Sequence, residues 1–200
     1  GVRIKLYKNI PVAAGLAGGS ANAAAVILGL NELFQLKKSK EELMKLGKRI
    51  GADVPFCIQG GTALARGIGE KLVGLKPAPK ISLLLIKPPY FVSSKEVYSR
   101  LDLKNIKERP DTPAVLNAIE KQDAGAIGKG LCNVLEGVTF GIYPELADIK
   151  RELARNGALG SLMSGSGPTV YGIFETEREA QRAAGKMPRT NSLIFVSEVD

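Results

Sequence analysis

Twenty-eight lysines and arginines stand against 20 acidic residues in this chain of 200, a formal net charge of +8, and histidine is absent. That absence excludes Ser-His-Asp triads, Cys-His pairs and His-ligated zinc, so any general base is Asp, Glu, Lys or Tyr. Apolar residues at 44% and charged residues at 24% are the proportions of an ordinary globular chain, long enough for one large or two small domains with a real core.

Cys57 and Cys132 lie far apart and form no metal-type cluster, which suits a reducing compartment. No apolar run reaches the ~18 residues of a membrane helix. Arg3, Lys5 and Lys8 before a small-residue stretch loosely imitate a signal peptide. Alanine and glycine make a poor hydrophobic centre, however, and Pro11 interrupts it. The expectation is a cytoplasmic protein with no membrane partner. The bases are scattered, with acids nearby at 37–42 and 175–182. This favours a solvated surface that mildly attracts small anions over a nucleic-acid face. A basic RNA-binding module remains the alternative, recognisable by a steep loss of affinity with salt.

In chain order, Val2, Ile4 and Leu6 alternate with polar neighbours as in a half-buried strand. After the loop 11–20 the period becomes helical, with Ala24, Ile27, Leu28, Asn31 and Phe34 on one stripe and Ser20 as N-cap. Ser39 and Glu42 form a capping box for a second helix that Gly51 can end. Residues 60–75 read as short strands around Gly67-Ile68-Gly69, and Lys76-Pro77-Ala78-Pro79 as a linker. A buried strand follows at 81–86, stopped by Pro88-Pro89. Helices are predicted over 94–101, 113–119, 123–135 and 144–155, with Pro113 and Pro144 in first turns. Strands at 160–163 and 169–174 flank Ser164-Gly165-Ser166-Gly167-Pro168. A helix over 175–187 and a strand over 192–199 complete a β-α-β-β-α-β order, the split βαβ pattern. The predicted class is α/β (α+β), with domains at 1–76 and 80–200.

Three loops carry candidate chemistry. The segment Pro11-Val12-Ala13-Ala14-Gly15-Leu16-Ala17-Gly18-Gly19-Ser20-Ala21 joins strand to helix through small residues, which exposes backbone N–H groups at a helix start and suits a phosphate. It lacks the Lys-Ser/Thr of a P-loop and the spacing of the dinucleotide fingerprint. A tight packing turn is the competing reading. In Gly51-Ala52-Asp53-Val54-Pro55-Phe56 a single carboxylate interrupts an apolar run. Asp53 either caps a turn or accepts the proton of a substrate hydroxyl in phosphoryl transfer. The loop 164–168 is a hairpin connection or a glycine-rich approach to a ligand. Glu70 reads as an exposed turn acid.

In this order the three loops resemble the galactokinase, homoserine kinase, mevalonate kinase and phosphomevalonate kinase superfamily. The first loop is similar to its Pro-x-Gly-x-Gly-Leu-Gly-Gly/Ser-Ser motif, and 161–169 to its C-terminal glycine loop. Gly18-Gly19-Ser20-Ala21-Asn22-Ala23, the 51–56 segment, Arg66-Gly67-Ile68-Gly69-Glu70 and Val92-Ser93-Ser94-Lys95-Glu96-Val97-Tyr98 resemble the branch formed by 4-diphosphocytidyl-2-C-methyl-D-erythritol kinases. The resemblance implies ATP- and Mg²⁺-dependent phosphorylation of the carbon-2 hydroxyl of that cytidine-diphosphate alcohol, in non-mevalonate isoprenoid biosynthesis. A sister kinase for homoserine or mevalonate is the alternative. It further implies Asp53 as catalytic aspartate and residues 11–21 as the ATP-phosphate loop. Gly165, Ser166, Gly167 and Thr169 would be substrate contacts. The implied plan is an N-terminal kinase α/β domain and a ferredoxin-like C-terminal domain, with the active site between them. Ala14, Ala17 and Ala21 depart from the usual Gly, Gly and Ser, and their methyls resist positive φ. The family's N-terminal segment, with its lysine and much of the cytidine site, has no counterpart here. The expectation is therefore a truncated chain with little or no activity alone, which self-associates through exposed sheet edges.

Overall fold

A buried strand needs covering on both faces, and the run Ile81-Ser82-Leu83-Leu84-Leu85-Ile86 sits at the centre of the larger sheet for that reason. The computed structural model describes residues 1–106, 108–188 and 191–199. They form two compact units, residues 1–12 with 16–75, and residues 13–15 with 76–200.

The first unit holds α1 (Gly18–Leu33), α2 (Lys40–Lys48), α3 (Val54–Gln59) and a hairpin of β1 (Ala63–Arg66) with β2 (Lys71–Gly74). Leu43, Val54 and Ile58 close around Ala24 to make its small core. The Ser39 hydroxyl accepts from the Glu42 amide, and the Glu42 side chain accepts from the Ser39 amide, the expected capping box. Two expectations fail. Residues 1–9 form no strand, and Val2, Ile4 and Leu6 are exposed. Alternation makes a strand only against a partner, and among the described residues none pairs with this segment. Helix α1 starts at Gly18, so Ser20 lies inside its first turn rather than at the cap.

The second unit is a four-stranded antiparallel sheet of β3 (Ile81–Lys87), β4 (Gly160–Met163), β5 (Val170–Phe174) and β6 (Leu193–Val199). Their order is β4-β5-β3-β6. With helices between β3 and β4 and between β5 and β6, this is the split βαβ, ferredoxin-like arrangement that the element order predicted. Leu84 faces Gly172 on β5 and Val196 on β6. One sheet face carries the main core, where Leu84, Met163, Val170 and Phe174 meet Val97 of α4 (Ser94–Arg100), Leu146 and Leu153 of α8 (Glu145–Arg155), and Ala180 and Ala183 of α9 (Glu177–Ala184). The other face is covered by Ala118 of α5 (Thr112–Glu120) and Ile127 of α6 (Ala124–Lys129), against Ile81 and Ile173.

The single helix expected over 123–135 is two. Helix α6 ends at Lys129, and α7 runs over Glu136–Ile142. Gly128 and Gly130 weaken the stretch, and Gly128 is pressed against the backbone before β4. Pro144 stands at the N-cap of α8 rather than in its first turn. A Cβ on Gly160 would lie 2.1 Å from the Gly128 carbonyl oxygen, so α6 and β4 touch backbone to backbone. Gly160→Ala should therefore lower stability by about 3 kcal/mol in urea titration, the upper end of overpacking costs. An unchanged midpoint would mean the two backbones are not in contact. Among the described residues no helix is long and apolar enough to cross a membrane.

Candidate active site

The first unit contributes a helix start and a free acid. The backbone is left-handed at Ala17 (φ 48), the N-cap residue of α1, and also at Ala13 (φ 50) and Gly15 (φ 73), which belong to the second unit. Ala13 and Ala17 thus take positive φ in spite of their methyls, at about 1 kcal/mol each. Ala14 does not, and is buried. No side chain caps α1, and its first intrahelical bond is donated by the Ala21 amide to the Ala17 carbonyl. The amides of Gly18, Gly19 and Ser20 precede that bond, so they have no helical acceptor and are free to meet an anion. The Lys8 ammonium lies 3.3 Å from where a Cβ on Gly18 would sit, adding a positive charge beside them. The sequence marks Lys8 only as one of three bases before the small-residue stretch, because a lone lysine carries no local signal for a phosphate site.

Asp53 occupies the N-cap position of α3, yet its side chain makes no capping hydrogen bond. It is exposed, and no hydrogen bond or ion pair of its carboxylate is found among the described residues. The turn-capping alternative therefore has no support in the geometry. Its carboxylate Oδ1 lies 3.8 Å from the Cβ position of Gly69, so the 67–69 turn flanks it. Glu70 builds that turn. Its carboxylate accepts from the Ile68 amide at 2.8 Å and pairs with Lys48 at 3.3 Å. Backbone amides, foremost its own, and then Lys48 hold its carboxyl below the usual range.

In the second unit, the glycine loop after β4 is packed rather than open. Gly165 is exposed and Ser164 half-buried, whereas Ser166, Gly167 and Thr169 are buried. The Ser166 hydroxyl shares a 2.7 Å hydrogen bond with that of Ser94. Thr169 is fully enclosed, with its hydroxyl unpartnered. Of the four residues expected to contact substrate, only Gly165 is exposed. The Ser164 hydroxyl donates to the Gly15 carbonyl at 2.7 Å, within this same unit.

The comparisons with known proteins cover both halves of the chain. Residues 1–61 match the GHMP kinases N terminal domain, and residues 115–193 the GHMP kinases C terminal domain. The chain is 51% identical, over 199 residues, to 4-diphosphocytidyl-2-C-methyl-D-erythritol kinase of Caldicellulosiruptor bescii, covering all of this chain and 68% of that protein. It is 52% identical to the Clostridioides difficile protein of the same name, covering 98% of this chain and 67% of that one. The chain belongs to the GHMP kinase family. A crystal structure of 4-(cytidine 5'-diphospho)-2C-methyl-D-erythritol kinase superposes with a TM-score of 0.80 at 33% identity, over 96% of this chain and 68% of that one. Homoserine kinase of Cytophaga hutchinsonii shares the fold, with a TM-score of 0.78 at 22% identity.

In this GHMP kinase both cysteines are free and partly buried. Burial, then the Asp53 charge, pushes the Cys57 thiol up. Burial, then Glu108 and Glu136, does the same at Cys132. Both are kept in the less nucleophilic thiol form. Reading the sequence also missed Asn133, Glu136 and Thr139, which hold the glycine loop. The available signal was three polar residues at helical spacing inside the otherwise apolar run 131–142.

Proposed function

We propose that this chain carries the phosphate-binding and phosphoryl-transfer elements of a kinase that phosphorylates the 2-hydroxyl of 4-diphosphocytidyl-2-C-methyl-D-erythritol with ATP. The reading is carried by one observation: relatives of that name are 51 and 52% identical over essentially the whole chain, with no sequence block left unmatched. The geometry supports it through the uncapped amides of Gly18, Gly19 and Ser20 with Lys8 alongside, and through the unengaged carboxylate of Asp53.

Residues 11–21 take the β- and γ-phosphates on backbone N–H groups, where the helix dipole favours negative charge. Mg²⁺ would be held by the phosphates of the nucleotide and would supply charge neutralisation for the transferred phosphoryl group. Asp53 accepts the proton of the acceptor hydroxyl. As the O–H bond breaks, the oxygen forms its bond to the γ-phosphorus, and the bond to the β-bridging oxygen breaks to release ADP. Within the second unit, the exposed Gly165 is the member of the second glycine loop open to a ligand.

Calorimetric titration with the magnesium complex of a non-hydrolysable ATP analogue tests this reading. Saturable binding at one site is expected, with affinity altered by the cytidine-diphosphate alcohol. Absence of nucleotide binding removes the proposal. Self-association belongs to the same reading, since the first unit holds a sheet of just β1 and β2 among the described residues, with both outer edges unpaired. Sedimentation of the titrated samples should show dimers or larger species, and a purely monomeric boundary rules edge pairing out.

A further inference from the structure

A glycine loop that meets a ligand has to be held still by something other than itself, because glycine adds conformational freedom and no side-chain packing. Among the described residues, two backbone bonds close the turn of the loop after β4. The Ser164 amide donates to the Thr169 carbonyl at 2.8 Å, and the Gly167 amide to the Ser164 carbonyl at 2.9 Å. Further restraint comes from the Ser94 hydroxyl on that of Ser166 and from residues about thirty positions before the loop. The Asn133 side-chain amide donates to the carbonyls of Met163 and Gly165, each at 2.8 Å. Its own oxygen is fixed by the Leu135 amide at 3.0 Å, so the side chain cannot rotate without losing all three bonds. One turn on, Glu136 Oε1 accepts from the Met163 amide at 2.8 Å, while its Oε2 accepts from the Lys150 ammonium at 2.6 Å. Thr139 adds a longer bond, 3.3 Å, to the Ser166 carbonyl.

The residues so clamped, 163 to 165, bracket Ser164. Its hydroxyl is the donor to the Gly15 carbonyl, and its own carbonyl oxygen lies 2.4 Å from the Cβ position of Gly15. Gly15 can take part only because it has no side chain, and its φ of 73° directs the backbone onward to Leu16.

We propose that Asn133 and Glu136 are positioning residues for the phosphate loop, acting through the 163–165 backbone and the Ser164 hydroxyl on Gly15. The proposal rests on the reading of residues 11–21 as the ATP-phosphate loop. Neither residue touches nucleotide or acceptor. Their effect is on the conformation that residues 13–15 hold before a ligand arrives, and pre-organisation of that kind appears as affinity.

Two readouts separate this from a general structural role. Amide hydrogen exchange of the segment 13–16, without nucleotide, should accelerate at least tenfold in Asn133→Asp, which sets a carboxylate oxygen against two carbonyl oxygens, and in Ser164→Ala. Exchange in β3 should stay unchanged. The two substitutions together should accelerate it no more than either alone, because they cut one chain of contacts. Affinity for the magnesium complex of the ATP analogue should fall about tenfold, the loss of roughly one hydrogen bond. Glu136→Gln, which keeps an acceptor for the Met163 amide, should retain wild-type exchange and affinity, whereas Glu136→Ala should not. If Gln and Ala behave alike, the Lys150 ion pair is what matters and the proposal fails. Exchange at 13–16 that is unchanged in Asn133→Asp, or that rises only together with β3, overturns it as well. Should the unsubstituted protein bind no nucleotide, the kinase reading fails and takes the ligand half of the proposal with it, while exchange still decides the contact chain.

Discussion

In a full-length kinase that carries this segment, replacing Asp53 with asparagine should cut phosphoryl transfer about a thousandfold and leave affinity for the ATP analogue within about twofold of the unsubstituted protein. The substitution preserves shape and removes only the ability to accept a proton. Its structural cost should be near zero. The carboxylate has no hydrogen bond or ion pair to lose among the described residues, and asparagine is as acceptable at an N-cap as aspartate. An internal gauge confirms that the charge is gone. The Cys57 thiol is raised by burial first and by the Asp53 charge second, so in Asp53→Asn it titrates lower while burial keeps it above its ordinary value. Rate and affinity measured on the same preparation separate the roles. A rate loss with affinity retained assigns Asp53 to the acceptor hydroxyl. A parallel loss of both shows instead that the aspartate organises the nucleotide site, and the division between acid and amides has to be abandoned.

The legibility of this chain follows the range of the interactions involved. Strand β3 was readable because five aliphatic residues among six leave no polar face to expose, and the capping box of α2 because its partners are three residues apart. The split βαβ order followed from alternating element types alone. Short-range patterns failed where a distant contact decides. Helix α3 went unread, since six residues beginning Val54-Pro55-Phe56 show no period. The break between α6 and α7 depends on Gly128 meeting the backbone before β4, some thirty residues ahead, and on Asn133 turning away to bind Met163 and Gly165.

The candidate site divides in the same way. Asp53 stood out because one carboxylate in an apolar hexapeptide has no local use. Residues 11–21 stood out because only small residues let backbone amides face outward. What holds those elements was invisible. Ser164 and Gly15 are separated by 149 residues, and no periodicity links them. The same distance effect explains why Ser166 and Thr169 read as ligand contacts. A Gly-Ser-Gly-Pro-Thr string looks open in sequence, whereas Ser94, Thr139 and the sheet enclose it.

The three glycines of the phosphate loop should respond to alanine in three different ways. At Gly15 an added methyl meets the Ser164 carbonyl oxygen at 2.4 Å and the Gly167 carbonyl oxygen at 3.0 Å, on a backbone already left-handed. Neither obstacle is a flexible side-chain end, so the loop itself has to move. A displacement near 1 Å in a positioning element costs about a hundredfold in function. Gly15→Ala should therefore lower ATP-analogue affinity about a hundredfold and destabilise the protein by about 2 kcal/mol, the sum of left-handed alanine and overpacking. At Gly18 the methyl meets Ile10 Cγ2 at 3.0 Å, a side chain in an irregular segment that can yield, so the effect should be small. Gly19 is the informative contrast. It is helical, nothing lies within 4 Å of its Cβ position, and alanine there should stabilise α1 by up to about 1 kcal/mol. Yet Gly19 belongs to the first turn, where the phosphate is proposed to lie. Gly19→Ala should raise the melting temperature slightly while weakening the analogue at least tenfold, because the methyl takes room the anion needs. Stability and affinity moving in opposite directions is the signature of a glycine kept for a ligand. If Gly19→Ala gains stability and binds the analogue as before, the phosphate does not sit on the first turn of α1.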